Sequence, residues 1–83
     1  MIDSIFTTKP IWNGAKLQAK RESIGISRYG MAKILGMKAS SYTEMEQSQI
    51  KPDGPNLTKL SMFFDCLPED FFDLPKNFSR IVR

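Results

Sequence analysis

Apolar side chains recur at helical spacing along most of this chain. The opening is the exception: Ile2, Ile5, Phe6, Ile11 and Trp12 are scattered, and Pro10 interrupts any helix there. Leu17, Arg21 and Ile24 then fall at i, i+4 and i+7, the inner face of a first helix capped by Asn13 and running to about Ser23. Gly25 stands where a helix commonly turns left-handed and stops. Ser27 can cap a second helix from Arg28 to Leu35, with Met31, Ala32 and Leu35 inward and Gly36 as its stop. A third helix runs from about Ala39 to Gln47 and buries Tyr42 and Met45.

Lys51-Pro52-Asp53-Gly54-Pro55 is a loop by its turn chemistry. Beyond it, Asn56 is the expected cap of a fourth helix carrying Leu57, Leu60, Phe63, Phe64 and Leu67 at helical spacing. Pro68 suits the first turn of a short fifth helix holding Phe71, Phe72 and Leu74, which Pro75 closes. The pattern predicts an all-α fold of five short helices. It divides into an N-terminal arm over residues 1–12, a helical domain over 13–74 and a basic tail over 75–83. In the tail, Phe78 to Val82 is β-prone.

Composition narrows the function more than the fold. Eighty-three residues suffice for one domain and not two. No apolar run approaches the ~20 residues that span a bilayer, and the opening residues lack the basic start of a signal peptide. A cytoplasmic protein that keeps off the membrane is the expectation. Cys66 is the sole cysteine and histidine is absent, so an intramolecular disulfide and a Cys/His zinc site have no residues to form them. The easiest general base at neutral pH is missing too. Nothing favours an enzyme, and no cofactor or metal is expected.

Charge is unevenly spread. Residues 9–51 carry eight basic side chains against three acidic ones, whereas residues 53–74 carry Lys59 against five acidic ones. Lys76, Arg80 and Arg83 make the tail basic again. A basic segment within a small fold suits a polyanionic partner, although a solvated lysine-rich surface explains charge alone equally well.

The stretch from Arg21 to Pro52 settles which partner to expect. A helix-turn-helix needs two short helices crossing steeply over a three- or four-residue turn. Ala32 is small where the second helix would cross, Gly36 permits the reversal, and Met37 follows as an apolar plug. Tyr42 and Met45 point inward, while Lys38, Ala39, Ser40, Thr43 and Glu44 are left to face outward.

Arg21-x3-Gly25-x-Ser27-x3-Met31-Ala32-x2-Leu35-Gly36-Met37-x2-Ser40-x-Tyr42-x2-Met45-Glu46-x5-Pro52 resembles the Cro/CI-type (XRE, phage-repressor-like) helix-turn-helix domain. The resemblance covers roughly residues 16–74 and is strongest across 21–46. It implies a five-helix lambda-repressor-like fold with the helix-turn-helix at helices 2 and 3, operator binding and homodimerisation. The matched Arg21 and Glu46 resemble the family's internal ion pair between the first and third helices. Three features depart from the pattern: Arg28 replaces a common glutamine, Ser48 replaces a usual glycine, and the loop carrying Pro52 to Pro55 is a few residues longer.

Lys38, Ala39, Ser40 and Glu44 match the family positions that reach base edges. Lysine can donate to guanine O6 and N7, serine to several edges, and alanine can touch a thymine methyl. Glu44 can accept from cytosine N4 but repels phosphate. Base reading outweighs mere exposure for Lys38 and Ser40; for Ala39 and Glu44 the two weigh alike. Thr43, one position before Glu44, is a base or backbone candidate. Arg28 at the start of the second helix, with Gln47 and Lys51 past the third, are phosphate candidates against the alternative of exposed polar residues. Arg21 and Glu46 are read as structural first. Phe63, Phe64, Phe71 and Phe72 read as core, with any surplus left as an apolar patch for a second subunit. Cys66 reads as a small buried hydrophobe. Arg80 and Arg83 could reach DNA, or Phe78–Val82 could pair across a dimer.

The leading expectation is a sequence-specific double-stranded DNA-binding transcriptional regulator of a phage or mobile element. Repression is favoured because the chain has no room for an activation domain. It would act as a homodimer on a near-palindromic operator. Two alternatives use the same scaffold: an antitoxin-type module that also holds a small toxin protein, and a helix-turn-helix used only for protein–protein contact.

Overall fold

The computed structural model of the chain describes residues 10–74. The expectations for residues 1–9 of the arm, and for the tail with Lys76, Arg80, Arg83 and Phe78–Val82, lie outside the described residues.

Four α-helices form the described body: α1 (Gly14–Ser23), α2 (Arg28–Leu35), α3 (Ala39–Glu46) and α4 (Gly54–Phe64). Local chemistry sets their starts. The Asn13 side chain accepts from the Ala15 amide and the Ser27 hydroxyl from the Gly30 amide, each satisfying an amide with no helical partner. The start of α4 corrects the expectation that Asn56 caps it. Asp53 is the cap and accepts from the Asn56 amide, because Pro55 fits only inside a first turn and so the cap must precede it. The third helix ends at Glu46, with Gln47 as its cap.

All four helices end alike. A left-handed residue follows each, namely Gly25, Gly36, Ser48 and Asp65, at φ of 73°, 71°, 63° and 52°. The next residue's amide returns to a carbonyl one turn back: Ile26 to Arg21, Met37 to Ala32, Gln49 to Glu44 and Cys66 to Ser61. This is the Schellman ending. Two of the four positions lack the glycine that the conformation favours.

The expected fifth helix is not one. Pro68–Phe71 makes a single 3-10 turn, and Phe72–Asp73 then extends into a strand, β2, antiparallel to β1 (Ile11–Trp12). Trp12 pairs with Phe72 and Ile11 with Asp73. The extended backbone lets adjacent phenylalanines both reach Trp12: the Phe71 and Phe72 ring centroids lie 5.8 and 5.5 Å from that of the indole. A continued helix would carry them to divergent directions. The described part is therefore mostly helical with a small two-stranded sheet.

The core comprises Trp12, Leu17, Met31, Ala32, Leu35, Tyr42, Met45, Leu60 and Phe71. Met37, the turn plug, packs against it half-buried, as do Leu57, Phe64, Cys66 and Phe72. Ile24, Phe63 and Leu67, expected inside, are exposed. Each lies at or just past a helix end, where the chain leaves the periodic path that would bury it. Trp12, at the end of the expected arm, is instead a core residue.

Candidate nucleic-acid interface

The site is one helix and what holds it. α3 packs on α2 and on α1, and its buried side consists of Tyr42, Met45 and Glu46. Helical geometry sends Ser40, Glu44 and Gln47 to the opposite side, with Thr43 and Ala39 flanking. Lys38, Ala39, Ser40, Glu44 and Gln47 are all exposed, and Thr43 is half-buried. Lys38 is the cap residue of α3 and makes no side-chain cap bond. Among the described residues, none hydrogen-bonds the side chains of Lys38, Ser40, Thr43, Glu44 or Gln47. The face is polar, small at its leading end, and open. Lys51 is exposed in the following loop.

Behind α3, Glu46 is completely buried and takes two arginines. Arg21 donates from Nε to Oε2 at 2.5 Å and from Nη2 to Oε1 at 3.2 Å. Arg28 adds Nε to Oε1 at 3.0 Å. Arg21 also donates to the Ile26 carbonyl at 2.8 Å, tying in the turn between α1 and α2. Burial by itself pushes the Glu46 carboxyl up, but hydrogen bonds from Arg21 and Arg28 outweigh it and hold the group below its ordinary range. Pairing with Glu46 raises Arg21 in turn. The Tyr42 hydroxyl is buried with no hydrogen-bond partner. Burial first, and the adjacent carboxylate second, keep it protonated.

Three residues that sequence reasoning missed hold the far end of α3. The Trp12 indole donates to the Met45 carbonyl at 2.8 Å. The Gly14 amide donates to the Ser48 hydroxyl at 2.8 Å. A Cβ on Gly14 would run into the Met45 and Glu46 carbonyl oxygens, so only glycine lets α1 begin against the end of α3. The signal for Gly14 was a glycine directly after a capping asparagine, where nothing about α1 itself requires one. Ser48 stood out only as a missing glycine.

The structure thus places Ser40, Glu44 and Gln47 on the outward side of α3, sets Ala39 and Thr43 at its flanks, and leaves Lys38 exposed at its start. Arg28 is not simply exposed: its guanidinium is half-buried and joined to Glu46.

Comparison with known proteins gives the family and the fold. Residues 17–72 match the helix-turn-helix family. The repressor protein C2 of Salmonella phage P22 is 29% identical over 56 residues, which is 68% of this chain and 26% of that protein. The chain therefore spans about a quarter of that relative's length. The crystal structure of the P22 c2 repressor in complex with a synthetic operator superposes with a TM-score of 0.63 at 28% identity, covering 68% of this chain and 85% of that one.

Proposed function

The chain belongs to the Cro/CI-type helix-turn-helix family, and from that premise we propose that it is a sequence-specific double-stranded DNA-binding transcriptional regulator, a repressor of a phage or mobile-element promoter. The carrying observation is the open polar side of α3, braced from behind by a buried ion pair. A rigid helix with a free polar face is what a B-DNA major groove admits. The structural relative was captured on a synthetic operator, which supports the same use here.

In this reading Lys38, Ala39, Ser40, Thr43 and Glu44 address base edges, and Arg28, Gln47 and Lys51 address phosphates. Gln47 shares the outward side with Ser40 and Glu44, so it serves bases as readily as backbone. A helix this short reads only a few base pairs, which favours two copies on half-sites about 34–36 Å apart. Exposed Met62, Phe63 and Leu67 at the end of α4 supply apolar surface for such a pairing.

Selection of duplexes from a random pool, followed by binding measurements on the winning site, tests the reading. Lys38→Ala should change preference at one base position, costing about 1–3 kcal/mol there. Recovery of no preferred sequence would contradict it.

A further inference from the structure

Arg28 stands in two places at once. Its Nε is committed to the buried Glu46 carboxylate, yet the side chain remains 41% exposed. No other described residue takes its outer Nη edge. The carboxylate does not need it for satisfaction, because Arg21 already engages both oxygens. Two guanidinium groups therefore surround one buried carboxylate. A further acid, Glu22, stands 3.8 Å from the Arg21 Nη2, is 58% exposed, and lies on Arg21 rather than on Arg28. The uncancelled charge falls on the outer edge of Arg28, at the first residue of α2. Holding a guanidinium by Nε fixes its plane, and a fixed planar fork suits a tetrahedral oxyanion.

We propose that Glu46 is a positioning residue for an anion contact: by gripping Arg28 through Nε, it aims that guanidinium's outer edge at a nucleic-acid backbone phosphate. The inference rests on the DNA-binding reading and adds to it. The carboxylate that braces α3 through Arg21 also sets the phosphate contact of α2, so base reading and backbone registration share one anchor. Lysine at position 28 cannot do both jobs. Its single ammonium either stays on Glu46 or leaves it for the phosphate.

The test is duplex affinity against salt for the full chain and for Arg28→Ala, Arg28→Lys and Glu46→Gln, with melting curves confirming folded protein. Arg28→Ala should bind every duplex about tenfold more weakly, with the log–log salt slope reduced by about one. Arg28→Lys, despite its charge, should lose about fivefold, close to the alanine variant. Glu46→Gln should weaken binding more when Arg28 is present than when residue 28 is alanine, the remainder being the loss of the Arg21 brace. If Glu46→Gln fails to fold, the lysine and alanine variants decide. Arg28→Lys binding like the unaltered chain, or Arg28→Ala lowering only the melting temperature, would overturn the positioning role while leaving DNA binding intact. Absence of any salt-dependent duplex affinity in the unaltered chain would overturn both.

Discussion

Ser48 carries two opposed effects in one residue. Its φ of 63° is a conformation that costs a side-chain-bearing residue about 1–2 kcal/mol relative to glycine, while its hydroxyl accepts the Gly14 amide, a contact contributing about 0.5–1.5 kcal/mol. Ser48→Gly trades one for the other and should leave stability nearly unchanged. Both variants drop the acceptor, but Ser48→Ala keeps the strain, so urea denaturation should find it about 1–2 kcal/mol less stable than Ser48→Gly. Equal stability of the two variants would remove the backbone strain from the explanation. Glu46 makes the second residue-scale prediction. Its carboxyl is held below the ordinary value of 4.5, so the unfolded state binds the proton more tightly than the folded state. Its contribution is then fully present above pH 4.5 and fades as pH falls through the depressed value. Melting temperature against pH should drop below that point in the unaltered chain and drop less steeply in Glu46→Gln.

At the scale of elements, α3 is short and depends on its neighbours for rigidity. Its buried side is braced by Arg21, whose removal strands a buried carboxylate; Arg21→Ala should cost about 3–5 kcal/mol in denaturant titration. Its far end is held by Trp12 and Gly14. Trp12→Phe keeps an aromatic ring but leaves the Met45 carbonyl without its indole donor, an expected loss of about 1–3 kcal/mol. Gly14→Ala forces a Cβ into backbone rather than into a yielding side chain, and should cost about as much or more. Both variants should weaken duplex binding beyond what the loss of folded protein explains, because the reading helix loses its stop.

How much of this was legible follows from the residues themselves. Asn13, Ser27, Gly25 and Gly36 announce helix ends because their side chains, or the lack of one, suit those conformations. Ser48 and Asp65 adopt the same left-handed ending without the glycine that signals it. Asp53 and Asn56 are chemically similar caps three residues apart, and only the constraint from Pro55 separates them. The run Phe71-Phe72-Asp73-Leu74 is too short for periodicity to tell a helix from a turn and strand; the partner that decides it, Trp12, is sixty residues away. The open side of α3 was readable because the inward residues of a short helix determine the outward ones. The bracing of Arg28 by Glu46 was not, because it joins two helices at a distance no local pattern encodes.

Viewed whole, the described molecule is a small frame that presents one helix. α1, α2 and the β1–β2 sheet each contribute a contact to the buried side or the end of α3, and leave its other side free. Among the described residues, no helix is long and apolar enough to cross a membrane, and Met62, Phe63 and Leu67 stand exposed at or just past the end of α4. On the proposed function, this free side enters a DNA groove. Backbone amide NMR during titration with a selected duplex tests it most directly. The largest shifts should fall on Lys38, Ala39, Ser40, Thr43, Glu44 and Gln47, with Arg28 responding and Ile11, Trp12, Phe72 and Asp73 nearly silent. A duplex that leaves the outward residues of α3 unmoved while shifting the sheet, or that shifts nothing at all, would contradict it.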